Sequence, residues 1–215
     1  MPESVGSPYP ELLTALDRWA DRAHHDHPGV IPCRSGCTAC CHGPFDISVA
    51  DTLMLRDAVR RLPPTVRAGV LVRAEILATR IRGLAPDWKA PWDIGAIGDE
   101  RFDTISEALV DQPCPLLDAD GGCLIYADRP LICRWMGLGL IAEDGRTFEN
   151  GCPIQDQFPE FAALPPVPFA LEPFETREAI CLEDAAEALL GSAERQNFET
   201  TIALALDHLD EKFLP

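Results

Sequence analysis

Apolar residues recur with helical spacing over residues 10–25, where Leu12, Leu16, Trp19, Ala20 and Ala23 share one face and predict an amphipathic helix. It should stop in the run His24-His25-Asp26-His27-Pro28-Gly29, because proline and glycine do not continue a helix. Ser48 and Asp51 have the spacing of a capping box, which predicts a second helix running to Leu62. Pro63-Pro64-Thr65 breaks that helix. A third follows over 66–84, with Val66, Val70, Ala74, Leu77 and Ile81 in register, so the pair reads as a helical hairpin. After a loop at 86–92, a shorter helix is predicted over 99–110.

From Gln112 to Cys152 the pattern changes. Short apolar runs (Pro115-Leu116-Leu117, Leu124-Ile125-Tyr126 and 138–141) replace the helical period, and Asp120-Gly121-Gly122 separates the first two. That arrangement predicts a β-hairpin with very short strands. Arg129-Pro130 is placed to start a helical turn carrying Cys133. Residues 159–173 form a proline-rich, apolar connection expected to pack over the core. Two last helices are predicted at 176–190 and 197–214, the latter with Ile202, Leu206 and Leu209 on its buried side. The fold class that results is mainly α with a few short β-strands, a small α+β domain spanning 1–215. Within it, a cysteine-bearing core occupies 33–152 and a C-terminal helical layer 174–215.

Composition narrows the function classes. At 215 residues and 47% hydrophobic, the chain is long and apolar enough to bury a core. Its formal net charge is −17, with Lys89 and Lys212 the only lysines, and such a surface repels phosphate backbones. Nucleic acid is therefore excluded as a partner. No apolar stretch approaches the roughly 20 residues that cross a bilayer, and the N-terminal residues show no secretory pattern. Membrane association is not expected, and a cytoplasmic location is. A reducing cytosol keeps cysteines as thiols, and nine is an odd number, so metal binding is favoured over a disulfide framework.

The cysteines carry the chemistry. Cys33, Cys37, Cys40 and Cys41 lie within nine residues, and Cys114, Cys123, Cys133 and Cys152 follow. Thiolates bind soft metals, and short loop spacings bring them together while fixing few torsions. Neighbouring side chains diverge, so Cys41 either turns to a second site or completes the first with local strain. Proline and glycine beside Cys114, Cys123 and Cys152 suit tight ligand loops that keep water away. Arg129 and Arg134 are candidates to offset thiolate charge or to hold a bound group, with a salt bridge to a carboxylate as the plainer role.

Cys33-x3-Cys37-x2-Cys40-Cys41, then Cys114-Pro115-Leu116-Leu117, then Cys123-Leu124-Ile125-Tyr126-x2-Arg129-Pro130-x2-Cys133-Arg134, resembles the YkgJ-type cysteine-cluster family. That family is described as a zinc- or iron-chelating domain, the CxxCxxCC domain. The resemblance covers 33–152 and implies a metal held by these eight cysteines, with an iron–sulfur cluster (4Fe-4S) as the leading reading and zinc as the alternative. The first spacing here is three residues rather than two. One branch of the family is associated with methylation of flagellin lysines. This chain is shorter than expected for that enzyme, and the activity is not carried over. Three functions stand: an iron–sulfur protein in a redox or cluster-dependent role with an unidentified redox or protein partner, a zinc protein whose surface binds a partner, and a cluster-dependent group-transfer enzyme of methyltransferase type.

Other signals are weaker. The spacing of Cys33, Cys37 and Cys40 also matches radical S-adenosylmethionine enzymes, but the helical surroundings and the additional Cys41 argue against that class. His42 is a second-rank ligand candidate. His24, His25 and His27 read as a solvated helix end, and His208 as structural or exposed. Cys181 sits among apolar residues and reads as packing. Asp118 and Asp120 fit turn chemistry.

Overall fold

The computed structural model describes residues 8–207. Helix α1 (Tyr9–Asp26) buries Tyr9, Leu12, Leu13, Leu16, Trp19 and Ala23, the face its sequence period marks. It ends at His27, two residues before Gly29 takes a positive φ. Strand β1 (Asp46–Ser48) leads into α2 (Val49–Arg61) through the expected capping box: Ser48 Oγ accepts the Asp51 N–H at 3.1 Å, and Asp51 accepts the Ser48 N–H. Helix α3 (Pro64–Leu84) begins on its second proline, where the missing N–H costs nothing. Helix α4 (Asp99–Ala108) stops slightly before the predicted end.

Helix α5 (Leu131–Trp135) is the predicted turn after Arg129-Pro130. Strands β2 (Leu140–Ile141) and β3 (Thr147–Phe148) pair antiparallel. The proline-rich connection contains α6 (Pro159–Ala162) and β4 (Val167–Pro168), which joins β2 in parallel to complete a small sheet of order β3-β2-β4. Helix α7 (Leu171–Leu190) starts five residues before the predicted boundary. Pro173 lies in its first turn, where proline is tolerated.

Two expectations need correction. The hairpin predicted from the 115–117 and 124–126 runs is reduced to a turn closed by a single antiparallel bridge, Leu117 to Cys123. The helix predicted over 197–214 is instead β5 (Glu199–Thr201) followed by α8 (Ile202–Asp207). Thr200 and Thr201 are β-branched, and β5 closes an antiparallel pair with β1 from the other end of the chain. Residues from His208 on, including Leu209 and the rest of the predicted helix, lie outside the described residues. The α2–α3 hairpin is organised around α8. Ile202, Ala205 and Leu206 of α8 share one apolar cluster with Leu55, Ala58 and Val59 of α2 and Val70 and Ala74 of α3.

A larger apolar cluster unites α1, α7, the start of α2 and the small sheet. Trp19, Phe169 and Phe174 meet edge-on within it, with ring centroids 5.7 and 5.5 Å apart. The molecule is a single compact domain, mainly helical, in which two apolar clusters back the cysteine loops from different sides. Among the described residues no helix is long and apolar enough to cross a membrane.

Candidate metal centre

Two turns build the first cysteine loop: the Cys37 N–H donates to Arg34 O and the Cys41 N–H to Thr38 O, both at 2.9 Å. The loop is then stitched to the second cysteine segment. The Cys114 N–H donates to Cys41 O at 2.9 Å, the Gly43 N–H to Gln112 O at 2.7 Å, and His42 bridges Pro113. Gly43 has φ +77°, and a Cβ there would stand 3.4 Å from Val110 Cα, so this crossing requires glycine. The segment from Cys114 to Cys123 turns around Asp118, whose Oδ1 accepts the N–H groups of Asp120 and Gly122 at 2.9 and 2.7 Å. Asp118 is thus a turn residue, as its position suggested.

Asp51 positions Cys133. Its carboxylate is 3% exposed, accepts the Leu131 N–H at 2.9 Å and the Tyr9 hydroxyl at 3.0 Å, and holds the Ser48 cap. One side chain therefore joins α1, the start of α2 and the start of α5. Burial pushes its carboxyl up, against those hydrogen bonds. Asp17 of α1 fixes the arginines: it pairs with Arg129 at 2.8 Å and also with Arg134. Arg134 is buried and also donates to Arg129 O and Ala127 O. Arg129 lies over the Tyr126 ring at 4.3 Å.

Seven cysteines (33, 37, 40, 41, 114, 123 and 133) line one cavity of about 380 Å³, together with Arg129, Arg134, Asp17 and His24. Among the described residues no three donors converge on the position of a single ion. Cys152 is buried outside that lining and acts electrostatically on Cys33. All nine cysteines are free thiols. Cys181 is buried in α7 within the larger apolar cluster, matching its reading as a packing residue.

Neighbouring sulfurs sort into two groups that meet at Cys40. Burial pushes the Cys33 thiol up to about 11, and Cys37, Cys40 and Cys152 add to the effect. Burial likewise raises Cys114 to about 12, with Cys123 and Cys40 contributing, and raises Cys133 well above the usual thiol range, with Cys114, Cys40 and Cys123 near it. The Cys41 thiol donates to the Cys40 sulfur, which holds Cys40 down and pushes Cys41 up. The groups have different backing: Cys33 and Cys152 pack with the larger cluster, and Cys41, Cys114 and Cys123 with the smaller.

Gly137 reveals how tightly the first group is held. A Cβ on it would fall 2.8 Å from Cys33 Sγ. The donor chemistry fits a thiophilic metal: soft sulfurs gather in one partly dry cavity, and burial keeps those of Cys33, Cys114 and Cys133 protonated until a cation displaces the protons. Asp17, Asp51 and Gly137 were missed as site residues from sequence. Only Asp51 had a signal, its capping position, and that points to a helix start rather than to a cysteine.

The profile of the CxxCxxCC family, described as "Putative zinc- or iron-chelating domain", matches residues 32–153, more than half of the chain. The protein belongs to this family. No curated protein and no solved structure matches it. The chain is thus a cysteine-cluster, metal-binding protein of mainly helical fold.

Proposed function

We propose that the set Cys33, Cys37, Cys40, Cys41, Cys114, Cys123, Cys133 and Cys152 supplies the ligands of an iron–sulfur core, the leading form being a 4Fe-4S cluster held by four of them, in a redox or cluster-dependent role. The observation that carries this reading is that seven sulfurs line one cavity of about 380 Å³. A core several atoms wide can take sulfur ligands from different sides of such a cavity. Such a core supplies one-electron chemistry when bound. The chain's own residues then hold the ligands in place: Asp51 fixes the Cys133 turn, and Gly137 leaves room for Cys33. Arg129 places positive charge near Cys33 and Cys123, which offsets thiolate charge. Arg134 braces Arg129 through their shared partner Asp17. A cytoplasmic setting, where thiols stay reduced, and a protein redox partner complete the reading.

Zinc is the second reading, and one observation favours it: Cys33 has Cys37, Cys40 and Cys152 near it, while Cys133 has Cys114, Cys40 and Cys123, so two groups of four sulfurs share Cys40. Each group has the composition of a closed structural zinc site. Anaerobic purification with elemental and sulfide analysis separates the two. The iron–sulfur reading expects a brown protein with iron and acid-labile sulfide that bleaches with dithionite. A colourless protein carrying zinc and no sulfide would replace it with the second.

A further inference from the structure

Cys40, Cys41 and Cys133 face two cavities, not one. They form a wall of a second cavity of about 640 Å³, which Cys33, Cys37, Cys114 and Cys123 do not line. This volume lies within the range of about 300–1,000 Å³ of small-molecule sites. Its floor is apolar, supplied by Phe45, Ile132 and Met136, with Val110 at 59% exposure on its border. Glu107 and Asp111, exposed at the end of α4 and just beyond it, add carboxylates to the border. Among the described residues no lysine or arginine lines it, and His42 is its one basic side chain. Ser106 Oγ, also on the α4 side, is shielded from water and has no hydrogen-bond partner among the described residues.

We propose that this second cavity binds a small organic cation, an apolar body carrying a protonated amine, against the cysteine wall. Apolar walls take the body, and Glu107 and Asp111 take the ammonium group. A neutral or anionic ligand of the same shape gains nothing from those carboxylates, and an anion is repelled by them. The proposal rests on the metal reading in one respect only: thiolates around a metal leave the wall net negative, which adds to the preference for a cation. The site also gives the shared cysteines a function beyond ligation, because it places a ligand next to the centre.

Phenethylamine, phenylacetate and phenethyl alcohol serve as probes, titrated calorimetrically into the purified protein with metal content measured on each sample. Phenethylamine should bind and phenylacetate should not. Val110→Trp, at an exposed position, should fill the cavity and weaken phenethylamine by about tenfold or more. The double variant Glu107→Gln/Asp111→Asn should weaken the amine by about tenfold and leave the alcohol unchanged. Equal binding of amine and carboxylate, no amine binding, or binding indifferent to Val110→Trp would each overturn the proposal. A metal-loaded protein that ignores the amine fails this inference alone. A protein that selects the amine yet carries no metal fails the metal reading alone.

Discussion

The helical body and the cysteine face are built by different physics. Around α1 and α7, large apolar side chains interlock; Trp19, Leu13 and Leu16 are at most 1% exposed, and the elements are long and regular. Around the cysteines, short turns replace helices, and isolated bridges such as Leu117 to Cys123 replace strands. Most of the sulfurs there are only half-buried. Apolar burial is sufficient to order the first region. The second depends on turn hydrogen bonds, on anchors borrowed from the body, and on the metal its ligands are arranged to take. The molecule therefore separates a scaffold that folds by packing from a site that is completed by binding.

Perturbing each side separately tests that division. Trp19→Ala should have the largest effect, a loss of about 3–5 kcal/mol of unfolding free energy from the cavity it leaves in the body. Denaturant unfolding measures it, and a loss below about 1 kcal/mol would show that the body does not depend on this packing. Asp51→Asn strikes the anchor between the regions. It removes a buried carboxylate that serves Leu131, Tyr9 and Ser48 at once, and should cost about 1–3 kcal/mol and loosen metal held through Cys133. Competition with a chelator reports the second effect; unchanged metal retention would place Asp51 in the body alone.

Gly137→Ala acts on the face only. The added methyl meets Cys33 Sγ, so metal affinity should fall by roughly tenfold while the helical circular dichroism stays as it was. Equal metal affinity would show that Cys33 moves freely and is no fixed ligand. The smallest effect belongs to Glu178 on α7. Burial, with Asp51 and Glu175 nearby, raises its carboxyl to about 7. A carboxyl raised on folding binds its proton more tightly in the native state, so its contribution is complete at low pH. That contribution is lost as pH climbs from the ordinary carboxylate range, about 4.5, through about 7. Glu178→Gln should flatten that slope and leave the protein more stable at pH 8 by about 1 kcal/mol, discounted for a partly exposed group. A wild-type melting profile flat over that window would contradict it.

The body was the more legible region in the sequence. The periods of α1 and α3 and the Ser48–Asp51 box mark helices because they are local signals, each contained in a few turns. The β1–β5 pair was not legible, since two three-residue strands from opposite ends of the chain carry too little alternation to be distinguished from loop or helix. The start of α7 was masked by Pro173, which usually marks a boundary and here sits inside the first turn. At the site, residue types and spacing pointed to the cysteines, and the family match agrees that the segment chelates metal. What surrounds them was hidden. Asp17 is 112 residues from Arg129 and Asp51 is 80 residues from Leu131, and nothing local in either sequence neighbourhood announces those contacts. The second cavity was equally hidden, because the two sides of the Cys40–Cys41 pair become distinct only once the 112–114 segment is laid against it.

The most direct test compares metal bound per chain in the anaerobically purified wild type with that in Cys40→Ser, Cys133→Ser and Cys181→Ser. Ligands from both cysteine segments around one inorganic core predict that the first two variants lose metal together and that Cys181→Ser keeps the wild-type amount. Metal that survives both Cys40→Ser and Cys133→Ser, or a wild type that carries neither iron nor zinc, would contradict the account.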